Sequence, residues 1–92
     1  MSEVKVELAG EMPPFYDIAE FLWGKGVDID SDGNSDHPSS TTWSELTIIL
    51  RSDLSQRVDI DPAEDGSLKV SSQNGELLSR VISYLRNCGS IK

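Results

Sequence analysis

Arg57-Val58-Asp59-Ile60-Asp61-Pro62-Ala63-Glu64-Asp65-Gly66-Ser67-Leu68-Lys69-Val70-Ser71 is the stretch on which the fold turns. Val58 and Ile60 alternate with Arg57, Asp59 and Asp61, and Leu68 and Val70 alternate with Ser67, Lys69 and Ser71. A period of two marks strands with one buried and one wet face. Pro62 ends the first run and Glu64-Asp65-Gly66 turns the chain, so 57–71 reads as an antiparallel hairpin.

Downstream, Asn74-Gly75-Glu76 opens a helix. Leu77, Leu78, Val81, Ile82, Leu85 and Cys88 recur at helical spacing, and Gly89 ends the run. Asn74 suits the N-cap, and Glu76 suits the positive end of the helix dipole. Upstream, the run from Trp43 to Arg51 is rich in Thr, Ile and an aromatic, with Leu46, Ile48 and Leu50 expected to face inward. At the amino terminus Val4, Val6 and Leu8 alternate with Glu3, Lys5 and Glu7, up to Gly10. Pro13-Pro14 then starts a helix carrying a stripe of Phe15, Ile18, Ala19 and Leu22, stopped by Gly24 and Gly26.

The resulting order is β-α-(long loop)-β-β-β-α. The expected architecture is an α+β two-layer sandwich: a four-stranded, mostly antiparallel sheet with both helices on one face. A crossover through the first helix makes the first two strands parallel neighbours or near-neighbours. The 92 residues form a single domain, with 27–41 as an acidic, mobile loop.

Sixteen acids against eight Lys and Arg give a net charge of -8. Residues 1–66 hold fifteen acids and four basic groups, whereas 67–92 hold one acid and four. Such a field repels polyanions, so neither nucleic acid nor an anionic membrane surface is an expected partner. A basic protein is. The lone Cys88 excludes an intrachain disulfide and points to a reducing compartment. No secretory signal or membrane span is legible, which makes the cytoplasm the expected location. The charge also favours a monomer.

Two segments carry the functional expectation. The first is the acidic run Asp28, Asp30, Asp32, Asp36. The second is the aromatic helix, whose Tyr16, Glu20 and Trp23 share a face distinct from the core stripe. Together they predict a non-catalytic acidic surface that docks a basic protein, in size and charge like an inhibitor or immunity-type protein. The run also resembles the start of an EF-hand calcium loop. On that resemblance Asp28, Asp30 and Asp32 take the first three ligand places, Gly33 the turn, and Asn34 and Asp36 the next two. The closing carboxylate falls on Ser39, which has none. A calcium-responsive module is therefore the alternative function, and calcium the only cofactor considered. A small carboxylate-based hydrolase is a further alternative; it requires an acid titrating well above the ordinary range. His37 is the single histidine and lies in the polar loop, so no catalytic residue is assigned.

Overall fold

In the computed structural model the elements are β1 (Ser2–Val6), α1 (Phe15–Trp23), β2 (Ile29–Gly33), β3 (Leu46–Leu50), β4 (Arg57–Pro62), β5 (Leu68–Ser72) and α2 (Gly75–Asn87). The structure describes every residue except Met1, Asp36 and Pro38. The β4–β5 hairpin sits at the middle of one five-stranded sheet of order β1-β5-β4-β3-β2. Every neighbouring pair is antiparallel. The α+β class therefore stands, with one strand more than the sequence suggested and no parallel pair.

Both departures share one cause. Ile29–Gly33, read above as loop, pairs with β3 through Ile29 opposite Leu50 and Gly33 opposite Leu46. A strand inserted before β3 reverses the direction of everything after it. β1 and β2 do run the same way after the α1 crossover, but at opposite edges of the sheet. β3, taken as the second strand, runs against β1.

One face of the sheet is covered. Val6, Leu46, Ile48, Val58, Ile60, Leu68 and Val70 are buried there beneath Phe15, Ile18 and Leu22 of α1 and Leu77, Leu78, Val81 and Leu85 of α2. Val4 and Leu8 depart from the expectation, being 39% and 42% exposed. A residue of an edge strand is covered on one flank only, so the inward direction does not guarantee burial. Leu50 is also only half-buried, at the end of β3. Trp43 lies before β3 instead of within it. Its ring is buried, and its Nε1 donates to the Pro13 carbonyl at 2.8 Å, fixing the loop to the start of α1.

Asn74 caps α2, its Oδ1 accepting from the Glu76 and Leu77 N–H groups. At the far end Gly89 takes φ +79, and the Ser90 N–H returns to the Leu85 carbonyl. This reversal brings Ser90 and Ile91 into the core. Cys88, placed on the inner stripe by spacing, is consequently exposed.

Candidate functional site

The acidic run is an edge strand. Asp30 and Asp32 stand opposite Ile49 and Thr47 on the face of the sheet that no helix covers. Arg51, one residue past β3, reaches across: its Nη2 is 2.9 Å from Asp30 Oδ1 and its Nε 3.5 Å from Asp28 Oδ1. Asp32 accepts from the Gly33 N–H at 2.9 Å. One guanidinium thus serves two of the three carboxylates, Asp28 and Asp30, and all three remain exposed. Asp36 lies outside the described residues.

An EF-hand loop wraps its ligands around one cation at about 2.3–2.6 Å. Here Asp28, Asp30 and Asp32 are drawn out along a strand, where alternate residues sit about 6.5–7 Å apart. Among the described residues no group of three His, Cys, Asp or Glu side chains is placed to hold a metal ion. Asn34 is occupied differently. Its Oδ1 accepts from the Ser44 and Glu45 N–H groups at 2.9 and 3.0 Å, and its Nδ2 donates to Ser44 Oγ at 3.0 Å. It clasps the end of β2 to the start of β3. Gly33 is required beside it, since a Cβ there would lie 2.1 Å from the Glu45 carbonyl oxygen.

The second face of α1 is brought against this strand. Tyr16 Oη donates to the Val27 carbonyl, Glu20 Oε2 accepts from the Gly26 N–H at 2.9 Å, and Trp23 Nε1 donates to Gln56 Oε1 at 2.7 Å. All three side chains are half-buried. The exposed aromatic is instead Phe21, 43% accessible, packed 4.7 Å from the Tyr84 ring. Arg80 lies over Phe21 and donates to the Phe21 and Leu22 carbonyls at 3.0 and 3.1 Å. It thereby supplies the cation that the last turn of α1 lacks. Burial, followed by the neighbouring Cys88 thiol and Asp17, pushes the Tyr84 phenol up to about 12.

The pattern of ladder hydrogen bonds decides which main-chain groups are left open. The Asn34 N–H donates to the Glu45 carbonyl and the Arg51 N–H to the Asp28 carbonyl. In an antiparallel ladder alternate residues face the same neighbour. The even-numbered residues of β2 therefore face β3, and Ile29, Ser31 and Gly33 turn their N–H and C=O groups outward. Beside this edge lies a cleft of about 370 Å³ lined by Phe15, Ser31, Asp32, Gly33, Ser35, His37 and Leu46. His37 Nδ1 is 2.8 Å from Ser39 Oγ at its rim, with both residues exposed.

At the other edge the same argument turns the odd-numbered groups of β1 outward, since the Ala63 N–H donates to Ser67. The chain's last residues meet that edge where β1 ends. The Lys92 N–H donates to the Glu7 carbonyl at 2.9 Å and the Ala9 N–H to the Ser90 carbonyl at 2.8 Å.

On the open face of the sheet, Asp32, Thr47, Asp59 and Ser71 form one row across four strands. Asp59 is only 18% exposed, paired with Arg57 and hydrogen-bonded by Thr47 at 2.6 Å. Burial works to raise its carboxyl, but the Arg57 and Thr47 hydrogen bonds and the Arg57 charge outweigh it and hold the group low. Asp53 is lowered by Ser55 and then Gln56. Asp65 is held well below the carboxylate range, first by Ser67 and then by Lys5. Among the described residues, Asp53, Asp59 and Asp65 are the carboxyl groups held away from their ordinary values, and each is held low.

The sequence reading missed Arg51, Ile29 and Ser31. The signal was present in Asp28-Ile29-Asp30-Ser31-Asp32, a period of two with a single apolar residue. No protein-family model matches this chain, and neither a curated protein nor a solved structure matches it. No helix among the described residues is long and apolar enough to cross a membrane.

Proposed function

We propose that this is a non-catalytic domain that docks a basic protein through the uncovered, acidic face at β2. The carrying observation is the line of Asp28, Asp30 and Asp32 along an exposed edge strand, of which Arg51 pairs with Asp28 and Asp30 and leaves Asp32 without an ion pair among the described residues. Such a line attracts Lys and Arg over a distance set by ionic strength. The aromatic face of α1 supports this surface from beneath: Tyr16 holds Val27, and Trp23 holds the β3–β4 turn. Phe21 and Tyr84 do not belong to the surface; they pack beside Arg80 on the helix layer.

The test is an amide-shift titration of the isotope-labelled protein with a lysine-rich peptide and with a glutamate-rich peptide of equal length. The lysine peptide is expected to move the 28–34 amides. The effect should fade as ionic strength rises from about 0.01 M to about 0.15 M, because the screening length falls from about 30 to about 8 Å. The triple variant Asp28→Asn, Asp30→Asn, Asp32→Asn is expected to lose the response. Shifts that persist in the triple variant, or that fall elsewhere on the molecule, would overturn the proposal.

A further inference from the structure

We infer that the partner segment binds as an added strand: an extended chain of alternating basic and apolar residues pairing with the outer edge of β2. This rests on the reading of β2 as a docking surface for basic chemistry and specifies how the partner is held.

The open length of the edge is defined by its two ends. At one end the Val27 carbonyl is taken by Tyr16 Oη, and at the other the Gly33 N–H is taken by Asp32. Between them the outward N–H and C=O groups of Ile29 and Ser31 have no hydrogen-bond partner among the described residues. An incoming strand completes these groups as β3 does on the inner side.

Its side chains alternate between two environments. Those on the open face stand beside Asp28, Asp30 and Asp32, and opposite charges facing each other across a strand pair stabilise it. Those on the other face stand beside Ser31, toward the cleft floored by Phe15 and Leu46, both buried. A lysine–valine alternation meets both requirements.

The same charges reject a second copy of this chain. Two β2 strands paired antiparallel about Ser31 would set Asp30 opposite its counterpart Asp32 twice over. Like charges directly opposite are destabilising. Many proteins guard exposed edges with lysine or a bulge. This edge is guarded by three carboxylates that outnumber the one Arg51 beside them, a net negative charge that excludes an acidic copy and admits a basic strand. The β1 edge differs: Lys5 and Glu3 both stand on it, and Lys92 and Ser90 already occupy its continuation at Glu7 and Ala9.

Three capped heptapeptides of alternating lysine and valine test the inference: one unmodified, one N-methylated on its valines, one N-methylated on its lysines. All have the same charge. In antiparallel addition the residues bonded to Ile29 and Ser31 place their side chains on the cleft side, so the valine N–H groups face β2. The valine-methylated peptide is expected to bind at least about tenfold more weakly than the other two, from the loss of main-chain hydrogen bonds. The unmodified peptide should move and protect the Ile29 and Ser31 amides. Loss in the lysine-methylated peptide instead would also support strand addition, with the partner running parallel.

Equal binding by all three peptides would overturn strand addition while leaving charge-driven docking intact. No binding by any of them at low salt overturns both. On the protein side, Ser31→Pro removes an outward N–H without changing charge, at a position where an edge strand tolerates proline. With amide dispersion retained, it is expected to weaken the unmodified peptide about tenfold. Undiminished binding by this folded variant would also overturn the inference.

Discussion

Replacing Asn34 by alanine separates the clasp from the cation ligand. The amide side chain makes three hydrogen bonds across the β2–β3 connection, two accepted from main-chain N–H groups and one donated to Ser44 Oγ. A hydrogen bond contributes about 0.5–1.5 kcal/mol net, and a donor left unpaired costs more only where water cannot reach it. Glu45 is exposed and Ser44 half-buried, so water replaces much of what is lost. Asn34→Ala is therefore expected to cost about 1–2 kcal/mol, toward the lower end of the summed bonds. For a domain of this size that corresponds to a fall of about 4–15 °C in Tm. Guanidinium denaturation followed by far-UV dichroism should show a lower midpoint at an unchanged slope. The experiment is run once with chelator and once with millimolar calcium, the upper range for such loops. A clasp predicts the same loss in both; a ligand predicts a loss in calcium only. Asn34→Asp keeps the two accepted bonds and should recover part of the loss. A change under about 0.3 kcal/mol in both conditions would refute the reasoning.

Arg80→Met keeps the apolar stem over Phe21 but removes the donors to the Phe21 and Leu22 carbonyls, at an expected cost of about 1–2 kcal/mol. Full recovery in Arg80→Lys would show that the planar fork is not what α1 needs. Asp59 has a folded pKa below its unfolded value of about 3.9, so its contribution is complete above that pH and is lost as the pH falls through the folded value. Asp59→Asn should flatten stability below pH about 4 relative to the parent, and an unchanged acid limb would refute the pairing with Arg57 and Thr47. Tyr84 is shifted the other way, from 10.0 to about 12, so the folded state keeps a proton that the unfolded state has released. Stability should drop between those two values and Tyr84→Phe should remove the drop. A phenolate absorbance that develops fully near pH 10 would contradict the burial of the ring.

β4, β5 and α2 were legible because each repeats one period long enough for local pattern and tertiary burial to agree. Asn74, Gly89 and the core stripe of α1 also act as their residue types suggest. β2 was illegible because an edge strand with one face to water needs little apolar surface, and Ile29 is all it has. Its polar composition matches that of a turn, so composition alone gives the wrong element. What makes it a strand is non-local: Arg51 neutralises part of the Asp28–Asp30 repulsion only after β3 has been laid alongside. The error then propagated, since handedness and direction rules act on consecutive strands and one omission shifts every later direction.

The charge distribution shows the same division between count and placement. Fifteen acids before residue 67 suggested a concentrated negative surface. The fold disperses them: Glu7 pairs with Lys92 and Asp65 with Lys5, joining groups of distant segments, while Asp59 pairs with Arg57 on the same strand. What remains beside an open strand edge is the Asp28–Asp32 line, where Arg51 pairs with Asp28 and Asp30 and Asp32 accepts from the Gly33 N–H. Net charge alone did not locate this surface, where carboxylates coincide with main-chain groups that have no hydrogen-bond partner among the described residues. That coincidence is absent from β1, whose Lys5 is already engaged and whose edge is continued by the chain's own last residues. Of the two edges of one sheet, β2 is the one whose open ladder lies beside a run of carboxylates.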